Sequence, residues 1–110
     1  MSNPKPKIYI SGQISGLPIE EAQKNFKDAE LMLISKGFDV VNPFELPEHE
    51  AILNNGKSHN DQWIEHMKVD IKALMDCDSI YMLVSWSYSD GAILEHQIAM
   101  DLEYDIQYEK

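Results

Sequence analysis

The 110-residue chain has little positive charge, and this shortage excludes two classes of partner. Nine basic side chains stand against 19 acidic ones, which gives a formal net charge of −10 at pH 7. Such a surface repels nucleic acid and anionic lipid, so we predict neither a nucleic-acid nor a membrane partner. A small anionic ligand stays compatible, because backbone amides at a helix N-terminus can hold it without net positive charge.

Cysteine and long apolar runs are scarce as well. Cys77 stands alone, so it cannot form an intrachain disulfide, and a reducing compartment fits. It lies between Asp76 and Asp78, whose carboxylates raise the pKa of the thiol, and we therefore interpret it as a structural residue. The start of the chain has no apolar stretch of signal-peptide length, and no run approaches the ~18 apolar residues of a membrane helix. We predict a soluble, cytoplasmic protein.

The four histidines raise the question of a metal site. No two of them are four residues apart, and no cysteine lies at ligand spacing. Three of the four are in polar stretches that we expect to be exposed. We therefore predict no metal and no other cofactor.

Apolar patterning predicts a single α/β domain over residues 1–110, with a flexible arm at 1–6. β-rich runs alternate with helical spacing. Strands are predicted at 7–11, 38–41, 79–84 and 104–108, and helices at 19–35, from about residue 61 and at 91–103. Such alternation is typical of a doubly wound, three-layer, flavodoxin-like or Rossmann-like fold, whose parallel sheet here has about four or five strands.

In such sheets, ligands bind beyond the carboxyl ends of the strands, where the strand order reverses. This rule directs attention to the loops at 11–18, 42–60 and 85–91. Residues 45–60 show no clear periodicity, and we predict a long loop of the kind that acts as a lid or a binding loop.

Glu95 is the most informative residue of the chain. It shares one helical face with the apolar residues Ala92, Ile98 and Ala99, so we expect its carboxylate to point inward. A capping box would explain an early-helix glutamate, but the position three residues earlier is Ala92 rather than a capping residue. An inward carboxylate must be paired, hydrogen-bonded or functional. A nucleophile and a buried polar group without catalytic function both remain open for Glu95.

Two further residues fit the same site. Asp70 repeats the inward pattern on the preceding helix, between Met67 and Leu74 of the apolar stripe. Two inward carboxylates on neighbouring helices suit acid/base or glycosyl chemistry, although a loop amide could equally satisfy Asp70. Tyr9 lies in the first strand and is either a core tyrosine or a hydrogen-bond donor to the site.

Glycine and serine mark the loops at both ends of the candidate site. Ser11, Gly12 and Gly16 form a short loop that lets the backbone approach a ligand, without a Walker or dinucleotide pattern. Ser89, Asp90 and Gly91 precede the last helix and could hold an anion at its N-terminus, cap the helix, or both.

Four segments together resemble the nucleoside 2-deoxyribosyltransferase superfamily, and particularly its short branch. They are KIYISGQISG, VVNPFEL, WIEHMKVDIKALMDCDSIYML and SDGAILEHQIA, in that order and spacing, and the resemblance runs from Lys7 to about Leu102. It implies that Glu95 is the nucleophile, that Asp70 protonates the leaving base or orients the sugar, and that Tyr9 hydrogen-bonds near the nucleophile.

The same resemblance implies a substrate and a binding loop. The substrate would be a 2′-deoxynucleoside or its 5′-monophosphate, held at Ser11, Gly12, Gly16, Asn42, Ser89, Asp90 and Gly91. A homo-oligomer is implied as well. The well-studied transferases are longer, and a neighbouring subunit closes their site, so a hydrolase is as compatible as a transferase.

Two other interpretations remain. The protein could be a non-catalytic module that binds a nucleotide or nucleotide sugar on the same fold. It could also be an assembly or regulatory protein with residues 45–60 as its interface. Convergence of Tyr9, Asp70 and Glu95 in one open pocket would favour the enzyme.

Overall fold

A computed structural model describes residues 5–110 of the chain. Helices and strands alternate almost as the pattern predicts. They are β1 (Lys7–Ser11), α1 (Ile19–Ser35), β2 (Asp39–Val41), α2 (Glu48–Leu53), α3 (His59–Met75), β3 (Ser79–Met82), α4 (Asp90–Asp101) and β4 (Asp105–Tyr108), with 3-10 turns at Pro43–Glu45 and Trp86–Tyr88. Lys5 and Pro6 of the predicted arm are irregular, and its positions 1–4 lie outside the described residues.

The four strands form one parallel sheet in the order β2-β1-β3-β4. The predicted flavodoxin-like or Rossmann-like fold is therefore confirmed. From β1 the chain first adds β2 on one side and then crosses to β3 on the other side. The strand order consequently reverses between β1 and β3, and the crevice beyond their carboxyl ends is the place where such folds bind ligands.

The sheet separates two hydrophobic cores, one on each of its faces, and strand β1 contributes side chains to both. Ile8 and Ile10 point to the face covered by α1, because side chains two residues apart lie on the same side of a strand. Tyr9 points to the opposite face, which α3 and α4 cover. The layers on both sides bury β1 completely, apart from its first residue.

The helices bury the stripes that their spacing predicts. In α1 the buried residues are Ala22, Phe26, Ala29 and Leu33, and the helix ends before Gly37, whose φ of +93° suits a residue without a side chain. Ser58 caps α3 by accepting a hydrogen bond from the backbone N–H of Asp61. The capped start at residue 59 lies two residues earlier than predicted.

Three predictions about local structure are wrong. The 45–60 segment is not a structureless loop but contains α2, in which only Ile52 is buried, so no apolar stripe reveals the helix. Strand β3 ends at Met82 instead of Val84, because its neighbour β4 ends opposite Met82 and Val84 turns outward with 68% of its surface exposed. Trp63 shares the helical spacing of Met67 and Leu74, which predicts a place on the inner stripe of α3, but it is 39% exposed.

Within residues 5–110, no helix combines the length and the apolar character needed to cross a bilayer.

Candidate active site

Helix α4 carries Glu95 into the protein at its second turn. The Oγ atom of Ser89 caps the helix by accepting a hydrogen bond of 3.2 Å from the N–H of Ala92. Glu95 follows Ala92 by three residues and lies on the same buried face, with only 5% of its surface exposed. The predicted inward orientation of Glu95 is confirmed.

Two hydroxyl groups of β1 hold the carboxyl group of Glu95. The Tyr9 hydroxyl donates to Oε2 at 2.5 Å, and the Ser11 hydroxyl donates to Oε1 at 2.6 Å. Tyr9 and Ser11 are two residues apart, so the strand places both on the face that α4 covers. Ser11 is the last residue of β1, which puts this contact at the carboxyl end of the strand, beside the reversal in strand order.

Burial makes the charged form of Glu95 costly. Loss of solvation, and next the negative charge of Asp70, raise the pKa of Glu95 to about 8, against the lowering effect of the bonds from Ser11 and Tyr9. When ionised, Glu95 accepts a hydrogen bond from each of the two hydroxyls. When protonated, it donates a hydrogen bond to one of the two hydroxyl oxygens. Burial and the nearby carboxylates also raise the pKa of Tyr9 well above its usual value, so its phenol stays a donor.

Asp70 extends the site from α3. It is 9% exposed, and its Oδ1 atom lies 2.8 Å from Nε2 of His49 on α2. The Nδ1 atom of His49 lies in turn 2.6 Å from Nδ1 of His66. Burial, and then the neighbouring His49 ring, lower the pKa of His66, which favours its neutral form. Because a carboxylate oxygen accepts, the N–H at Nε2 of His49 donates to Asp70, and in that tautomer Nδ1 of His49 accepts from Nδ1–H of His66.

His49 and His66 are site residues that our sequence interpretation missed, since we expected most histidines to be exposed. His66 lies four residues before Asp70, so helical spacing could have placed it on the same face of α3. No spacing rule could have found His49, because it reaches Asp70 only through the fold of the 43–58 segment. The two facing Nδ1 atoms share a hydrogen bond. Within residues 5–110, no group of three His, Cys, Asp or Glu side chains is arranged to hold a metal ion.

The residues predicted to bind substrate are only partly brought together. Asn42 is buried at the carboxyl end of β2, where it accepts from the N–H of Phe44 and donates to Glu30. The Ser89 hydroxyl is engaged as a helix cap. Asp90 is exposed and is the first residue of α4, directly after the cap Ser89.

The three glycines predicted to bind substrate differ in their local surroundings. Gly12 is tightly enclosed, since a Cβ atom there would lie 2.6 Å from Cδ1 and 2.7 Å from Cβ of Leu83. Gly16 is exposed, and its φ of +89° requires a residue that tolerates this conformation. Gly91 lies against α3, with a Cβ position 2.9 Å from Sδ of Met67.

Cys77 plays no part in this site. It is buried, and burial raises the pKa of its thiol to about 11, so the thiol carries no charge at neutral pH. The structural interpretation of Cys77 is consistent with both observations.

The carboxyl group of Glu95 is closed off from solvent. Tyr9, Ser11 and Glu95 are each 5% exposed or less. A cavity of about 460 Å³ between α2 and α3 and another of about 510 Å³ near Lys5 and Phe38 do not include these residues in their walls. Of the three residues expected to converge, Tyr9 meets Glu95 directly, Asp70 acts on both through its charge, and the described residues leave the carboxylate buried rather than in an open pocket.

Fold and site together define a parallel α/β domain with a buried glutamate, hydrogen-bonded by two hydroxyls, at the switch point of its sheet. Residues 6–108 match the model of the family described as "Domain of unknown function (DUF4406)". The match covers nearly the whole chain, and the protein belongs to this family. No curated protein matches the chain.

Proposed function

We propose that this protein cleaves or transfers the N-glycosidic bond of a 2′-deoxynucleoside or its 5′-monophosphate, with Glu95 as nucleophile. One observation carries the proposal. A carboxyl group is buried at the switch point between β1 and β3, held by two hydroxyl donors, and the charge of Asp70 raises its pKa. The resemblance of the four sequence segments to the nucleoside 2-deoxyribosyltransferase superfamily supports the choice of substrate.

The reaction would proceed by double displacement. Glu95 first gives up its proton to Asp70; an Oε atom of the resulting carboxylate then attacks C1′ of the sugar, the bond from C1′ to the base nitrogen breaks, and the base leaves with the bonding electrons. A deoxyribosyl ester on Glu95 results. Water or a second base then attacks C1′, and the carboxylate of Glu95 is released, so that two inversions give net retention.

Asp70 and His49 would manage the proton of the leaving base. The base needs a proton on its departing nitrogen or on another ring atom, and Asp70, which contacts His49, would pass on the proton that Glu95 gives up. His66 contacts His49 from α3 and, in its neutral form, would donate a hydrogen bond to it. Tyr9 and Ser11 would orient the carboxylate of Glu95. One of its oxygen atoms would then use a lone pair to attack C1′.

Burial of the site implies a movement before substrate binds. The segment that contains α2 makes polar contacts with α3: His49 of α2 contacts Asp70, and Asn55 and Lys57, which follow the helix, bond to Glu65. Since only Ile52 of α2 is buried, we expect the 43–58 segment to open at little free-energy cost. A 5′-phosphate would then meet the loops at 11–16 and 87–91, where backbone amides and the N-terminus of α4 are available.

The proposal is tested by release of free base. Wild-type protein is incubated with a panel of 2′-deoxynucleosides and their 5′-monophosphates, with the matching ribonucleosides alongside, and the base is quantified by chromatography. We expect base from at least one deoxy substrate, none with Glu95→Gln, and wild-type rates with Asp101→Asn, an exposed carboxylate of the same helix. A 2′-fluoro-substituted analogue should leave a sugar adduct on Glu95 that mass spectrometry locates. No base release from the whole panel by the wild type would overturn the proposal.

A non-catalytic nucleotide-binding module is the second candidate, and the closed carboxylate favours it. A binding module needs no nucleophile, and all buried side-chain polar atoms within residues 5–110 already have hydrogen-bond partners. Calorimetric titration of the same panel separates the two functions. Binding that is unchanged in Glu95→Gln, with no base released by either form, would support the module.

A further inference from the structure

We propose that Asn55 is a site of covalent modification, at which the side-chain amide is lost as ammonia and a carboxylate facing Glu65 is formed. The modification needs only water as a co-reactant. The new carboxylate then loosens the 43–58 segment from α3. The inference does not depend on the proposed reaction, because Asn55 lies outside the Glu95 site.

Asn55 and Gly56 form a surface turn between α2 and α3. Both residues are exposed and lie outside the helices. Glycine has no side chain to keep its backbone nitrogen away from the amide of the residue before it, so an Asn-Gly pair favours attack on that amide. The other asparagines among residues 5–110 precede larger residues, namely Phe26, Pro43, Asn55 and Asp61.

The hydrogen bonds of Asn55 prepare its amide for attack. The backbone N–H of Lys57 donates to Oδ1 at 3.0 Å, and Nε2 of Gln62 donates to the same oxygen at 3.3 Å. The first of these bonds closes a ring that includes Gly56, so it folds the Asn55 side chain toward the backbone of the glycine. Both donors polarise the carbonyl group and stabilise the negative charge that develops on Oδ1 when Cγ is attacked.

The reaction takes place within the turn. The backbone nitrogen of Gly56 attacks Cγ of Asn55, the bond from Cγ to Nδ2 breaks, and Nδ2 leaves as ammonia with the proton of the Gly56 N–H. A cyclic succinimide results. Water then adds to either carbonyl carbon of the ring and opens it, which leaves aspartate or isoaspartate at position 55.

The carboxylate formed at position 55 would meet an existing one. In the unmodified protein, Nδ2 of Asn55 donates to Oε2 of Glu65 at 2.7 Å, and Nζ of Lys57 donates to Oε1 at 2.5 Å. After the reaction the amide donor is gone, and a pair of carboxylates shares the ammonium group of Lys57. Since Ile52 is the one buried residue of α2, little apolar contact opposes separation of the segment from α3.

Peptide mapping tests the modification. Wild-type protein is incubated at pH 8 for several days and digested at mildly acidic pH, and the products are located by mass spectrometry and by isoaspartyl methyltransferase labelling. We expect aspartate and isoaspartate at position 55. Asn54 is the matched control within the same exposed segment, and it should be converted much more slowly, because a side chain follows it. No conversion of Asn55, or equal conversion of Asn54, overturns the proposal.

Hydrogen exchange tests the consequence. In Asn55→Asp, which reproduces one product, we expect the amides of α2 to exchange about fivefold faster than in the wild type, or more, since a bond to a charged group is replaced by repulsion. In the Glu65→Gln background the same substitution should have little effect, because the opposing carboxylate is absent. Exchange at the wild-type rate in Asn55→Asp, or an equal acceleration in both backgrounds, would show that the modification does not act through Glu65.

Discussion

The two faces of the sheet are built for different purposes, although one strand supplies both. Toward α1, strand β1 presents Ile8 and Ile10, which pack with Phe26 and Leu33 in an apolar core. Toward α3 and α4, the same strand presents a tyrosine and a serine, whose hydroxyls meet a buried glutamate. The period of two in a strand is what separates the two functions.

This difference shows where the protein accepts a cost in stability. Every buried apolar side chain of the α1 face stabilises the folded state, by roughly 1.5–3 kcal/mol for a Leu, Ile or Phe removed from water. On the opposite face, Glu95 and Asp70 lie together in a poorly solvated site, where charge is expensive. A costly group at a ligand-binding position of the fold is typical of a functional site that opposes stability.

The largest effect is expected from breaking the apolar face. Phe26 is 1% exposed and packs edge-on against Phe44, with the ring centroids 5.1 Å apart. Phe26→Ala should lower the free energy of unfolding by about 3–5 kcal/mol, since it removes a large buried side chain and leaves a cavity. Chemical denaturation measures the change, and Leu31→Ala on the exposed side of α1 serves as the control. A loss under about 1 kcal/mol would contradict the interpretation of this face as the main source of stability.

A second effect, of opposite sign, is expected from neutralising the polar face. The folded state holds the Glu95 proton up to about pH 8, while an unfolded glutamate loses it near 4.5. The folded state therefore binds more protons between these values, and the contribution of Glu95 to stability falls as pH rises from about 4.5 to 8. Glu95→Gln lacks this loss, and above pH 8 it should be more stable than the wild type by roughly 2–4 kcal/mol.

Denaturation curves at pH 4, 7 and 9 measure this difference. At pH 4 the two proteins should be nearly equal, because the wild-type carboxyl group is then protonated in both states. Asp101→Asn, an exposed neutralisation on the same helix, should show no comparable gain at pH 9. If Glu95→Gln is less stable than the wild type at pH 9, the view of Glu95 as a destabilising functional group is wrong.

The smallest effect on stability is expected from removing a single tyrosine hydroxyl, which can be compared between the two faces of the sheet. Tyr9→Phe removes a bond of 2.5 Å to Glu95, and we expect a loss of about 1 kcal/mol in the free energy of unfolding. Because that bond lowers the pKa of Glu95, the titration midpoint of Glu95 should rise in the variant. Tyr81→Phe is the matched control, since Tyr81 belongs to the α1 face. Equal effects of the two substitutions on the midpoint would remove the distinction between the faces.

Much of the architecture was predictable from local pattern. Strand β1 and helix α1 have their predicted bounds, because a short β-branched run and a regular apolar stripe each have one period and clear glycine or proline borders. Helix α2 was missed because five of its six residues stay outside the core and leave no periodic trace. The inward direction of Glu95 followed from the same helical spacing that identified α4.

The partners of Glu95 were predictable to different degrees. The position of Tyr9 in the middle of β1 predicts a possible donor to the site, whereas the pattern around Ser11 predicts a substrate-binding loop and not its bond to Glu95. The link from Asp70 to His49 was not predictable, since it joins residues 21 positions apart through a segment without a recognisable pattern.

The sequence by itself determined the alternation of strands and helices, the inward carboxylates and the acidic character of the chain, because these depend on local spacing and composition. Only the tertiary structure decided which groups meet. It joined Tyr9 to Glu95 across 86 positions, brought His49 to Asp70, and closed the carboxylate off from solvent. Such contacts depend on strand order and helix packing, which no local period encodes, and the pKa of Glu95 depends on them in turn.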